Sequence, residues 1–157
     1  MFASEYGKKV SKNDNYERID IQRLRAEYGE KALIITCRYI PNNRSDYVTF
    51  GNIRVFDKTK KTKTKYQLTD HVNFPKSIVS RFIKIDQQDM RRKKFFAVCI
   101  PILYNHYGII RGGFRLVIPE SGSPIVRAPE KQWEWEEELN RLINLRNIYN
   151  HQCGYPF

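Results

Sequence analysis

The sequence predicts an α+β domain built on an antiparallel β-sheet or a small β-sandwich of five to seven strands. Three observations support this fold class: β-branched and aromatic runs recur over residues 31–118, Pro and Gly clusters separate them, and one long amphipathic pattern closes the chain. The 157 residues fit one domain, and their 41% hydrophobic content can supply its core. We expect a polar N-terminal tail over 1–14, the strand-rich core over 31–118, a C-terminal helix over 130–150 and a tail over 151–157. A jelly-roll or other Greek-key arrangement is the main alternative.

The first predicted element is a helix that follows the polar N-terminal tail. Residues 13–15, Asn-Asp-Asn, can cap it, and Gly29 can end it. Its apolar positions lie roughly on one side: Tyr16, Ile19, Leu24 and Tyr28. Because Ile19 and Ile21 also alternate, a short strand is the alternative there.

Four apolar runs predict the main strands. They span 32–40, 47–56, 95–104 and 107–118. Gly51 marks a candidate bulge in the second run, and Pro101 implies an edge, a bulge or a break in the third, because proline donates no ladder hydrogen bond. Between the second and third runs, Pro75 introduces a short segment with helical spacing.

The last predicted element is the longer helix, Glu130 to Asn150. Its core positions have helical spacing, with acids crowded into the first two turns. Trp133 and Trp135 point to different sides of such a helix, so at most one lies squarely on the core face. The other could anchor a partner, although two tryptophans that both flank a wide apolar stripe are the more common arrangement. The acidic helix and the basic middle of the chain also permit self-association.

Positive charge is concentrated in the middle of the chain. The net charge is +11, and residues 58–94 carry twelve basic and three acidic residues, which is nine of those eleven charges. Such asymmetry favours a polyanionic partner over general solubility. No signal peptide and no apolar run of the length of a membrane span is visible, so we expect no membrane partner and an intracellular location, cytoplasmic or nuclear.

Twelve residues are the candidates for nucleic-acid contact. Lysines crowd 58–65, a stretch without acidic or apolar residues that we expect at a hairpin tip or in a mobile loop, and a basic tetrad occupies 91–94. Tyr66 follows the lysines directly and could stack on a base, although such aromatics more often belong to the core. The full set is Lys58, Lys60, Lys61, Lys63, Lys65, Tyr66, Arg81, Lys84, Arg91, Arg92, Lys93 and Lys94.

These candidates predict a non-enzymatic protein that binds nucleic acid of undetermined type, with a viral or mobile-element protein that coats or transports a genome as one form of it. One alternative is a protein-interaction module, an inhibitor or adaptor, that engages an acidic partner. The other is a metal-dependent nuclease, whose carboxylates would have to meet in three dimensions. Its candidate ligands are Asp57, Asp70, Asp86 and Asp89.

Cysteine and histidine placement predicts neither a metal site nor a cofactor. The only close pair of these residues is His151 and Cys153, and a zinc site needs at least three protein ligands. Cys37 and Cys99 lie inside apolar runs, so we expect buried, reduced thiols.

Overall fold

Eight strands form one mixed sheet in the computed structural model, which describes residues 16–56 and 64–155. The strands are β1 (Glu17–Ile19), β2 (Leu33–Ile40), β3 (Tyr47–Phe56), β4 (Thr64–Leu68), β5 (Val72–Pro75), β6 (Lys94–His106), β7 (Ile109–Leu116) and β8 (Ile125–Arg127). The helices are α1 (Ile21–Tyr28), α2 (Lys76–Val79), α3 (Gln87–Met90) and α4 (Trp135–Gln152). The α+β class is therefore confirmed, with a C-terminal helix.

The strand order is β1-β4-β3-β2-β6-β7, with β5 also paired to β3 and β8 to β6. The sheet is curled, so that β5 and β7, far apart in this order, come into contact. The prediction of a purely antiparallel sheet within 31–118 is wrong, because β1 and β8 lie outside those bounds and β1 pairs with β4 in parallel. No hairpin joins β1 to β4, so the chain connection does not impose an antiparallel direction on this pair.

Each face of the sheet buries its own apolar cluster. On the first face, which we call the α1 face, α1 covers a core that includes Phe50, Phe74 and Phe95. On the second, the α4 face, α4 packs over β2 and β6. Its core joins Ile34, Phe96, Val98, Trp135, Leu139 and Leu142. Burial on both faces explains why β2 and the first half of β6 are almost continuously apolar.

The first helix begins later than predicted. The side chain of Asp20 caps α1 by accepting a hydrogen bond from the Arg23 N–H at 2.8 Å. The predicted capping residues, 13–15, lie outside the described residues. Gly29 follows the helix with φ +68°, as predicted for its end. Ile19, assigned to the helix, lies in β1 and pairs with Leu68, so the alternation of Ile19 and Ile21 was the better signal.

The proline in β6 is accommodated at the end of a pairing. The Val98 N–H bonds to the Pro124 carbonyl on the β8 side, so alternation directs the nitrogen of Pro101 to the opposite, β2 side. On that side the pairing stops at Leu33, the first residue of β2, which lies opposite Cys99. The missing N–H of Pro101 therefore removes no hydrogen bond to β2.

The last helix starts five residues later than predicted, at Trp135, after a 3₁₀ turn over Gln132–Glu134. The indole N–H of Trp135 donates to the Pro129 carbonyl at 2.8 Å and fixes this entry. Near the other end, the Asn150 side chain accepts from the Ala32 N–H at 2.7 Å and donates to the Ala32 carbonyl at 3.2 Å. These bonds tie α4 to the segment that leads into β2.

Candidate nucleic-acid interface

Three cationic side chains from three neighbouring strands converge on the α4 face. Lys94 of β6 lies directly opposite Arg38 of β2, and Arg54 of β3 lies opposite Thr36, two residues from Arg38 on the same face. We call Arg38, Arg54 and Lys94 the Arg-Arg-Lys cluster. Like charges opposite each other on a sheet repel, so this arrangement destabilises the unbound protein.

A β-bulge brings Arg54 onto this face. Thr36 pairs with Arg54 but Arg38 pairs with Gly51, so β3 contains one more residue than β2 over this interval. The extra residue lies at Asn52–Ile53, where Asn52 has φ +50°. A bulge reverses the side to which the following residues point, and Arg54 is thereby turned towards Arg38. The bulge predicted from Gly51 is present beside that residue.

The electrostatics of the cluster are dominated by burial and mutual repulsion. Partial burial, followed by the charges of Arg38 and Arg54, lowers the pKa of the Lys94 ammonium. This ammonium lies 5.5 Å from the centre of the Trp135 ring, a cation–π contact. Within residues 16–56 and 64–155, no carboxylate forms an ion pair with any member of the cluster.

The Arg54 side chain is not fully hydrogen-bonded. Its guanidinium lies 4.5 Å from the centre of the Tyr16 ring, and its Nε is buried without a hydrogen-bond partner in the described part of the chain. Arg38 donates one hydrogen bond, from Nη1 to the Arg92 carbonyl, at 3.0 Å. A buried N–H without an acceptor costs about 1–3 kcal/mol, which an anion bound at the cluster would offset.

The predicted basic tetrad does not form one contact surface. Lys93 pairs with Glu130 at 3.1 Å. Arg91 interacts electrostatically with Tyr39, a residue of the α1-face core. Burial raises the pKa of Tyr39, and the positive charge of Arg91 lowers it. Arg92 occupies a turn with φ +64°. Of residues 91–94, only Lys94 belongs to the cluster, because the turn and the alternation of β6 direct the others elsewhere.

The remaining predicted residues divide into three groups. Arg81 and Lys84 lie exposed between α2 and α3, with no contact to the cluster, and the Arg81 guanidinium lies over the Phe82 ring at 5.4 Å. Lys65 is the second residue of β4. The prediction of a loop or hairpin tip, with Lys58, Lys60, Lys61 and Lys63, lies outside the described residues; Phe56 and Thr64 on either side are paired neighbours.

The structure contradicts the role predicted for Tyr66. Its side chain is only 2% exposed, packs edge-to-face against Tyr28 and donates its hydroxyl hydrogen bond to the Glu27 carboxylate. A ring in this position presents no face to a base, so the stacking role predicted for Tyr66 is wrong. Burial follows from its register opposite Val55, a residue of the α1-face core.

The carboxylates considered for a nuclease each have a separate structural contact. Asp70 accepts from the Ile21 N–H at 2.9 Å, Asp86 caps α3, and Asp89 pairs with Arg127 at 3.1 Å. Asp57 lies outside the described residues. In the part of the chain that the structure describes, no three Asp, Glu, His or Cys residues are grouped to hold a metal ion.

The thiols follow the sequence prediction. Cys37 and Cys99 are buried and unpaired, and burial raises the pKa of both. Cys153 is exposed. The two buried cysteines therefore behave as small apolar side chains of the core.

Sequence reasoning missed Arg38 and Arg54, although a signal was present. Each is a single basic residue inside an otherwise apolar strand pattern, which is unusual unless the side chain reaches solvent or a ligand. Their proximity to Lys94 depends on strand pairing and on the bulge, which connect residues that are 16 to 56 positions apart in the chain.

The fold and the cluster together define an α+β protein with an uncompensated cationic site on a sheet face. Comparison with protein-family models, curated proteins and solved structures gives no match. None of the described helices combines the length and apolar character that crossing a membrane requires.

Proposed function

We propose that this protein binds nucleic acid, without catalysing a reaction on it, through the Arg-Arg-Lys cluster and the lysines of residues 58–65. The observation that carries the proposal is the cluster itself: two guanidinium groups and an ammonium, partly buried together, with no ion pair to a described carboxylate. Such a site is completed by an anion that accepts several charge-assisted hydrogen bonds, as phosphate oxygens do.

A row of polar side chains across the sheet favours a polyanion over a single phosphate. Arg18 pairs with Gln67 and Gln67 with Arg54, so the accessible row crosses three strands. Neighbouring strands are about 4.8 Å apart, which makes the row roughly 10 Å long. A linear array of donors on this scale suits the repeating phosphates of a strand. Coating or transport of a viral or mobile-element genome is one form that this function would take.

The proposal is tested by fluorescence anisotropy with single- and double-stranded DNA and RNA over a series of salt concentrations. The triple variant R38Q/R54Q/K94Q should reduce the slope of log K against log salt by about 2–3 units, on the rule of roughly 0.7–0.9 per phosphate contact. The control R44Q/K76Q/K131Q removes three exposed basic residues elsewhere and the same net charge. It should change the slope less.

Equal effects of the two triple variants would contradict a specific site and indicate general attraction. Circular dichroism melting of both variants establishes that each is folded at the assay temperature. Weak binding that does not depend on oligonucleotide length would instead favour the protein-interaction alternative.

A further inference from the structure

Exposed apolar side chains are concentrated on two surfaces that include no residue of the Arg-Arg-Lys cluster. Within the described residues, nine large hydrophobic side chains are exposed, and five of them lie in the hairpin of β6 and β7: Leu103, Tyr104, Tyr107, Ile109 and Ile110. Two others, Ile118 and Ile148, line a groove beside α4. Apolar surface concentrated in this way marks an interaction site more often than scattered apolar residues do.

The first surface is an arm, residues 103–111, formed by the outer part of this hairpin. All nine of its residues are exposed, and pairing continues to His106 and Ile109. The turn residues Tyr107 and Gly108 both have positive φ, 52° and 82°, and the Gly108 N–H donates to the Asn105 side chain at 2.8 Å. The arm is therefore an ordered, solvent-exposed β-ribbon. It is fixed to α1 by the Gln22 side chain, which donates to the Ile110 carbonyl at 2.8 Å.

Both faces of the arm carry apolar side chains. The pairing register places Leu103 and Ile110 on one face and Tyr104 and Ile109 on the other. Tyr107, at the tip, is 92% exposed. Either face of the arm therefore offers apolar side chains that a partner can bury.

The second surface is a groove between the segment 117–122 and the C-terminal half of α4. Its volume is about 370 Å³, within the range of pockets that enclose a ligand. Glu120 adds an acidic group and Arg141 a basic one. The apolar lining is Val117, Ile118, Pro119, Leu145, Ile148 and Tyr149. The groove is therefore suited to a segment that has apolar side chains and a basic residue next to them.

The arm cannot enter the groove of its own molecule. β7 runs from Ile109, beside the tip, to Leu116, and the groove begins at the next residue, Val117. Eight residues of extended strand separate Ile109 from Val117 by roughly 26 Å, at about 3.3 Å per residue. The paired ribbon holds tip and groove apart, so only another molecule can bring them together.

We propose that the arm of one copy docks into the groove of a second copy, head to tail. The charges are complementary, because the arm contains Arg111 and no Asp or Glu while Glu120 lies in the groove. The one cation of the groove lining, Arg141, is already paired with Glu138 at 3.2 Å. An interface between two different surfaces leaves one arm and one groove free at the ends of each pair. Such association continues into a ring or a filament. It does not depend on nucleic-acid binding.

The test is sedimentation velocity of the full chain, freed of nucleic acid, over a concentration series. The wild-type protein should associate in a concentration-dependent manner. The arm variant I109S/I110S and the groove variant I118E/I148E should each be monomeric, with the dissociation constant raised by at least about tenfold. All four positions are roughly half exposed, so the substitutions do not open the core. The control W133S changes an exposed tryptophan away from both surfaces and should associate like the wild type.

Mixing the two variants distinguishes this arrangement from others. The groove variant retains an intact arm and the arm variant retains an intact groove, so an equimolar mixture should form a heterodimer and nothing larger. A mixture that stays monomeric, or a groove variant that still dimerises through two arms, would overturn the proposal. So would a wild-type protein that is monomeric and uses the arm to bind phosphatidylserine vesicles.

Discussion

Lys94 combines a cost in stability with a role in the proposed function. Burial and two guanidinium groups lower the pKa of its ammonium, which means that the folded protein disfavours this charge. A phosphate at the cluster would reverse the sign of the local field. Residues that conflict with their surroundings in the unbound protein are expected at binding sites.

The variant K94M should therefore be more stable than the wild type and bind nucleic acid more weakly. Methionine keeps the apolar stem and the contact with Trp135 but removes the charge. We expect a rise in Tm of about 2–4 °C if the gain is ~1 kcal/mol, measured by circular dichroism, together with a smaller salt slope in anisotropy. A fall in both stability and affinity would indicate that Lys94 is structural.

The same residue predicts how stability depends on pH. Below the lowered pKa of Lys94, both the folded and the unfolded states bind its proton, and between that pKa and the ordinary 10.5 only the unfolded state does. The contribution of Lys94 to the free energy of unfolding therefore increases with pH between these two pKa values. The pKa values of Tyr39 and Tyr149 are raised from 10.0, mainly by burial, so their effect opposes it above pH 10. Thermal melts of wild type and K94M up to pH 10 should thus converge as pH rises; a constant difference would contradict the assignment.

At the scale of elements, the sequence predicted those strands and helix ends that are determined by local residue patterns. The runs 32–40, 47–56 and 95–104 are strands because β-branched and aromatic residues favour them, and Gly29 and the acidic start of α4 were read correctly. The short strand β8 was missed, and β1 was only the alternative to a helix, because three residues carry too little pattern. The Arg-Arg-Lys cluster was missed because a bulge and two strand pairings create it. Gly51 indicated the bulge, but the register that decides which residues lie opposite each other does not follow from periodicity.

The lysine segment is an element whose contribution can be measured separately. In K58A/K60A/K61A/K63A, loss of four phosphate contacts should flatten the salt slope by about 3–4 units, because each contact releases condensed counterions. Titration of duplex DNA at five salt concentrations measures this directly. An unchanged slope, with Tm also unchanged, would remove the segment from the interface and leave the Arg-Arg-Lys cluster as the candidate.

At the scale of the whole molecule, β6 connects the two proposed sites while keeping them apart. Lys94 is its first residue, and the arm begins nine residues later at Leu103, roughly 30 Å away at about 3.3 Å per residue. Because the first half of β6 is buried on both faces, it forms a rigid spacer between the sites. A molecule held by another copy through the arm therefore keeps its Arg-Arg-Lys cluster accessible to nucleic acid.

This separation predicts cooperative binding to long nucleic acids. Copies joined head to tail would present successive cationic faces, so on an oligonucleotide long enough for several copies each bound molecule raises the affinity for the next. The variant I109S/I110S should bind a short oligonucleotide, with room for one copy, as tightly as the wild type, but should lose the steep isotherm on a long one. Anisotropy on both lengths, with R38Q/R54Q/K94Q for comparison, separates the effects, because that variant should be weakened on both. A wild-type isotherm without cooperativity on the long oligonucleotide would show that arm docking and nucleic-acid binding, if each occurs, do not act together.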